Sequence, residues 1–193
     1  MLTLKIIMGS ARPGRFSEHV APWLAGILGQ RTDVAIETID LRDYPMPFYD
    51  QPISPSKVND GAYANDVVRA FAGKIREADA FVVIAPEYNH GYPAVLKNAL
   101  DSVYAEWNNK AVAFVAYGNA GGARSVEQLR GVSVELQMAP IRSAVHIPMP
   151  WLLLEENGSL KTGALDAYEQ VAQKTIDQLV WWGEALKNAR QNH

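Results

Sequence analysis

Residues 9 to 17, Gly-Ser-Ala-Arg-Pro-Gly-Arg-Phe-Ser, lie just after the apolar run Leu4 to Met8. They precede a segment in which Val20, Trp23, Leu24, Ile27 and Leu28 recur at helical spacing. The layout reads as strand, tight loop, helix. Such a loop aims backbone N–H groups and the positive end of a helix at one point, which is how proteins hold a phosphate. Gly9 and Gly14 let the main chain approach closely, Ser10 and Ser17 offer hydroxyls, and Arg12 and Arg15 supply charge. The stretch is neither the Gly-Lys-Ser/Thr loop of nucleoside triphosphate enzymes nor the dinucleotide Gly-x-Gly-x-x-Gly. Taken alone it also fits a plain strand-to-helix turn.

The rest of the chain continues the alternation. Asp33 to Ile39 alternates apolar and polar residues, the mark of a second strand. Pro45, Pro47, Pro52 and Pro55 make residues 42–58 a long loop. A helix is expected from Tyr63 to Glu77, then an apolar strand from Phe81 to Ala85. Pro93 suits the first turn of a helix carrying Val95, Leu96, Ala99, Leu100 and Val103. Lys110 to Tyr117 reads as the fourth strand, and Val126, Leu129, Ser133 and Leu136 mark the next helix. A short strand at Ala144 to Ile147 and a last helix at Ala164 to Ala189 complete the pattern. Continuous apolar strands alternating with helices predict an α/β domain with a parallel sheet covered on both faces. Ligands of such sheets sit beyond the carboxyl ends of the strands, at the topological switch point. The loops after the first, third and fourth strands are therefore the ones to read together.

Composition narrows the classes. The chain of 193 residues suits one domain over positions 1–193, and 48% apolar residues supply its core. A net charge of −3 argues against general nucleic-acid binding. The absence of cysteine excludes disulfides, thiolate metal sites and thiol catalysis. His19, His146 and His193 are too scattered to form a metal-ligand pattern. The apolar runs are too short to span a bilayer, and the N-terminus lacks a signal-peptide pattern, so a cytoplasmic protein without membrane attachment is expected.

The loop after the third strand is Pro86-Glu87-Tyr88-Asn89-His90-Gly91-Tyr92-Pro93, rich in groups that edge or face a planar ring. Read alone, it also suits a tight turn with surface aromatics. The loop after the fourth strand, Tyr117-Gly118-Asn119-Ala120-Gly121-Gly122-Ala123-Arg124-Ser125, brings main-chain amides close to a ligand, or simply connects strand to helix. One loop for a phosphate and two for a flat polar ring describe a mononucleotide site.

On Gly9-Ser10-x-Arg12-x-Gly14 with Ser17, on Pro86 to Gly91, and on Gly121-Gly122-Ala123-Arg124, the chain resembles the NADPH-dependent FMN reductase family. These are flavodoxin-like flavoproteins that also act as quinone, azo-dye or chromate reductases. The likeness covers roughly residues 2–185. It implies a flavodoxin-like sheet of order 2-1-3-4-5, a bound FMN, NADPH or NADH as electron donor, a small-molecule acceptor, and a homodimer or homotetramer. By position it places Gly9, Ser10, Arg12, Phe16 and Ser17 around the FMN phosphate. It leaves Arg15 either on that phosphate or on the donor's phosphates. Pro86, Glu87, Tyr88, Asn89 and Gly91 would line the isoalloxazine ring, with Tyr117, Gly118, Gly121, Gly122 and Arg124 on its other side. Flavin N5 would carry the hydride, so no acid–base triad is needed. The Gly121-Gly122 amides are candidates to favour the reduced ring.

The leading expectation is thus a ping-pong NAD(P)H-dependent oxidoreductase acting on quinones, free flavin or similar acceptors. The alternative is a flavodoxin-type electron carrier serving a protein partner. His90 is expected to position the loop or an interface rather than to donate a proton. Trp107 and Trp151 are expected in ordinary core or loop packing, with a subunit contact as the other reading, and Trp181 and Trp182 are expected to cap the core. The apolar loop Tyr44 to Tyr49 reads equally as an interaction surface or as a proline-stiffened loop folded on its own domain.

Overall fold

The computed structural model describes residues 1–192. Its five strands are β1 (Leu2–Met8), β2 (Val34–Asp40), β3 (Ala80–Pro86), β4 (Ala111–Gly118) and β5 (Ala139–Pro148). All neighbouring pairs are parallel, and the order is β2-β1-β3-β4-β5. The helices are α1 (Ser17–Leu28), α2 (Asp66–Glu77), α3 (Ala94–Ser102), α4 (Ala123–Glu135) and α5 (Asp166–Gln191).

The period of two along a strand divides the core into two layers. Leu2, Leu4 and Ile6 of β1, Val82 and Ile84 of β3 and Val115 of β4 pack with α1 and α5. Phe81 and Val83 of β3 and Val112 and Phe114 of β4 face the other way, toward α2, α3 and α4. Burial on both faces explains why the central strands read as unbroken apolar runs. Lys5 is the exception in β1: its buried ammonium pairs with Glu37, its register partner on β2, and with Glu77 at 2.7 Å. Both carboxyls are held below their ordinary range, chiefly by their hydrogen bonds to Lys5.

Several boundaries differ from the sequence reading. The second helix begins at Asp66 because Asn65 caps it, accepting from Val67 N at 2.9 Å. Tyr63 lies outside that helix, buried, with its hydroxyl donating to Glu106 at 2.7 Å. Pro93 is the N-cap of α3 and precedes its first turn. β5 runs from Ala139 rather than Ala144; Pro140 and the exposed Arg142 and His146 interrupt its apolar signal, which an edge strand tolerates.

The last helix overturns one expectation. Its inward face is Ala172, Thr175, Ile176, Leu179, Val180 and Gly183. A Cβ on Gly183 would lie 2.8 Å from Leu2 Cδ2 and 3.3 Å from Ala80 Cβ, so glycine suits the close contact of α5 with the sheet. Trp181 and Trp182 fall on the other side, 65% and 38% exposed, and meet edge to face with ring centroids 5.4 Å apart. They do not cap the core. Trp107 is 1% exposed, against Phe71 and Phe81. No helix among the described residues is long and apolar enough to cross a membrane.

Candidate functional site

Strands β1 and β3 are neighbours while their crossovers go to opposite faces, so a crevice opens beyond their carboxyl ends. The loops 9–16, 87–93 and 119–122 all leave the sheet at that edge. Direct bonds tie them together. Gly9 N donates to Ile84 O at 2.8 Å and Glu87 N to Tyr117 O at 2.8 Å. Ser125 Oγ donates to Pro86 O at 2.9 Å.

In the first loop, Gly9, Ser10, Phe16 and Ser17 are buried and Arg12 is exposed. Arg12 N donates to Ser10 Oγ at 3.3 Å. Phe16 stands at the N-terminus of α1 without a side-chain cap, and packs edge to face on Tyr117, 5.4 Å between centroids. Tyr117 reaches from β4 so that its hydroxyl accepts from Ser17 N at 3.3 Å. Burial pushes that hydroxyl up to about 12, so it keeps its own proton to donate. Ser17 Oγ is fully buried and has no hydrogen-bond partner. A native structure rarely strands a buried hydroxyl without a reason, and an anion at the helix N-terminus supplies one. The donor set, Ser17 Oγ with the loop's amides and Arg12 beside them, fits a phosphate.

The second sequence-predicted arginine goes elsewhere. Arg15 is buried, and its guanidinium meets Asp40 at the end of β2, bidentately, with the Nη1–Oδ1 arm at 2.8 Å. Nη1 also donates to Ser10 O. Asp40 accepts from Arg42 N at 2.9 Å as well. Burial alone would raise the Asp40 carboxyl, but these bonds outweigh it and hold it far below the usual range.

Tyr88-Asn89-His90-Gly91 is a tight turn. Tyr88 N donates to Gly91 O at 2.8 Å and Gly91 N to Tyr88 O at 3.0 Å, and Asn89 and His90 have φ of 51° and 69°. Two successive positive φ values mark a type I′ turn. In non-glycine residues they store strain of the kind found where a ligand is gripped. His90 is exposed, and its carbonyl accepts from Gln128 Nε2 at 2.9 Å, so its backbone serves the turn. The Tyr88 hydroxyl is 2.9 Å from Ser10 Oγ, which links the ring loop to the phosphate loop.

In the third loop Gly122 has φ 71°, and a Cβ there would lie 2.5 Å from Ala116 Cβ and 2.8 Å from Tyr117 N. Only glycine fits. Glu87 occupies the start of α4: its carboxylate accepts from Arg124 N at 3.1 Å and pairs with Arg124 Nε at 2.9 Å. Gly121 N–H is used inside its own turn, on Gly118 O at 3.1 Å. Glu87 and Arg124 thus brace each other at the rim.

Three supporting residues were not legible in the sequence. His146 on β5 contacts Gly121 O through Nδ1 at 2.9 Å. Met149, held at φ 45°, donates its N–H to Gly118 O at 2.8 Å. Asp40 is the third. None sits in a recognisable motif; each becomes visible only when strands distant in sequence are laid side by side. Among the described residues no group of three acidic or histidine side chains is placed to hold a metal ion; His193 lies outside them.

Known proteins resemble this chain in sequence and in fold. Residues 2–151 match the family model described as NADPH-dependent FMN reductase. An NAD(P)H-dependent FMN reductase of Schizosaccharomyces pombe is 39% identical over 145 residues, 74% of this chain and 72% of the relative. An NAD(P)H:quinone oxidoreductase of Solanum tuberosum is 40% identical over 137 residues, 68% and 67% of the two chains. Among solved structures, the flavoenzyme NAD(P)H:(acceptor) oxidoreductase of Paracoccus denitrificans superposes with a TM-score of 0.70 over 93% of this chain and 97% of its own, at 20% identity, a likeness of fold. The extent of the family match and the level of identity establish that the chain belongs to the NADPH-dependent FMN reductase family and is an enzyme, an FMN-dependent NAD(P)H oxidoreductase.

Proposed function

We propose that the enzyme reduces quinones, free flavin or similar small acceptors with NAD(P)H, and that donor and acceptor take turns at one open face of the site in a ping-pong cycle. The observation that carries the reading is the buried, unpartnered Ser17 hydroxyl at the N-terminus of α1, at the edge of the sheet where two further loops also leave it. FMN, when bound, supplies hydride acceptance and donation at its N5. The chain's residues bind and orient. Ser10, Arg12, Ser17 and the amides of the 9–17 loop hold the phosphate. The I′ turn at Tyr88–Gly91 and the Gly118–Gly122 segment border the ring, and the Tyr88–Ser10 contact keeps the two ends in register.

Homologues with related names support the acceptor class: one relative is a 2-hydroxy-1,4-benzoquinone reductase of a Burkholderia species, 30% identical over 144 residues. We propose a cytoplasmic homodimer or homotetramer. The Tyr44–Tyr49 loop supports an interface: Tyr44 packs on Phe71 and Asn98 holds the Met46 and Pro47 carbonyls at 3.0 and 3.1 Å, while Phe48 is left 80% exposed. A monomer at micromolar concentration in the ultracentrifuge would remove the oligomer.

Initial rates with NADPH or NADH and a quinone test the cycle. Parallel double-reciprocal lines are expected, and intersecting lines would refute it. A yellow protein inert to both donors but reduced by a protein reductase would instead mark an electron carrier. Arg12→Ala should weaken FMN binding about tenfold or more, since a charge-assisted phosphate bond contributes roughly 1.5–3 kcal/mol.

A further inference from the structure

The phosphate loop carries two arginines with opposite fates: Arg12 is exposed at its mouth and Arg15 is buried beneath it. All the contacts of the Arg15 guanidinium lie underneath. Nη1 reaches Ser10 O and Asp40 Oδ1, Nη2 reaches Asp40 Oδ2 and lies 4.0 Å from Met8 Sδ, and Nε is 3.5 Å from Glu18 Oε1 without a hydrogen bond. Its charge is met by Asp40, which is itself fixed to Arg42 through N at 2.9 Å and Nη2 at 3.0 Å. Both Nη groups are so engaged and Nε faces Glu18, so the guanidinium is turned away from a ligand on the other side of the loop.

The Ser10 contact has a stereochemical consequence. In a planar trans peptide the C=O of one residue and the N–H of the next point in opposite directions. Holding Ser10 C=O down toward Arg15 therefore turns Ala11 N–H up, toward the mouth. A flip of that peptide would set a carbonyl dipole against the phosphate, which is repulsive where the reverse is attractive. We propose that Arg15 is a positioning residue for the phosphate loop: clamped by Asp40 of β2, it fixes the Ser10–Ala11 peptide with its N–H outward and does not touch the phosphate. The proposal rests on the reading of loop 9–17 as the FMN phosphate site. It assigns the arginine to neither of the two ligands that the sequence left open for it.

The test compares FMN with riboflavin, which lacks only the phosphate. Protein freed of flavin is titrated with each, following flavin fluorescence, for wild type, Arg15→Met, Asp40→Asn and the double variant. Arg15→Met should weaken FMN about tenfold or more, the scale of a lost hydrogen bond to a charged group, with riboflavin affinity altered less than about threefold. A role in general stability would move both ligands alike. Asp40→Asn should weaken FMN in the same direction, and the double variant should be no worse than Arg15→Met, because the two act as one unit. Should Arg15→Met fail to fold, Asp40→Asn decides. Tighter FMN binding in Asp40→Asn would show a released arginine reaching the phosphate and would overturn the clamp. So would unchanged discrimination in both single variants while wild type prefers FMN. Wild type with no preference for FMN over riboflavin would instead overturn the phosphate site, and the clamp with it.

Discussion

Replacing Ser17 with alanine should separate stability from binding. The hydroxyl is fully buried without a partner, while the main-chain N–H of the same residue keeps its bond to Tyr117. Deleting one oxygen therefore breaks no hydrogen bond within the protein. Alanine is also the better helix former, by a few tenths of a kcal/mol. Unfolding a chain of 193 residues carries an entropy of roughly 0.4 kcal/mol/K, so a gain of up to about 1 kcal/mol raises the midpoint by no more than about 2–3 °C. Binding should move the other way. A hydrogen bond to a charged phosphate contributes about 1.5–3 kcal/mol, or roughly 10- to 150-fold in Kd. Calorimetry on the flavin-free protein and fluorescence titration with FMN and riboflavin measure both sides. FMN affinity within about threefold of wild type, or a midpoint lowered by more than ~3 °C, would refute the reasoning. The first would show that the hydroxyl does not meet the phosphate. The second would show that it has a structural role.

Other outcomes follow from single contacts. Gly122→Ala sets a Cβ 2.8 Å from a backbone nitrogen at a positive φ, and neither can yield; a loss of about 2–4 kcal/mol, seen as a midpoint ~5–10 °C lower, is expected. Trp107→Ala should cost about 3–5 kcal/mol in urea unfolding and Trp181→Ala under about 1, because one indole is buried among Phe71 and Phe81 and the other lies on the outer face of α5. Asp79 ties Thr3 N, Lys187 and Arg190 together at 2.9, 2.7 and 2.9 Å. Burial raises its carboxyl, but those bonds lower it further, so its folded value lies below the ordinary 3.8. A depressed carboxylate contributes stability that is in place above its unfolded value and is lost as pH falls through the folded one. Asp79→Asn should therefore be less stable near neutrality yet decline less steeply in acid, measured by urea midpoints from about pH 6 to pH 3. An equally steep acid limb would remove Asp79 from that linkage.

What the sequence alone determined was the part of the protein governed by local chemistry. Apolar runs, helical spacing and Gly–Pro punctuation located all five strands and all five helices, since buried strands must be apolar on both faces. The three loops proposed to meet FMN, Gly9 to Ser17, Pro86 to Gly91 and Gly118 to Arg124, stand out by composition alone, rich in glycine and polar residues. What only the tertiary structure decided was direction. Nothing local distinguishes Arg12 from Arg15; the burial of one follows from Asp40 at the end of a different strand. Trp181 and Trp182 lie outside because the stripe of α5 that meets the sheet is Ala172, Thr175, Ile176, Leu179, Val180 and Gly183, and the choice of that stripe over the bulkier indoles was made by packing on the sheet. His146 and Met149 support the glycine loop from a fifth strand whose own signal was half hidden by its exposed edge. A side chain's partner is fixed by the register between strands, and that register is set by the packing of the whole sheet.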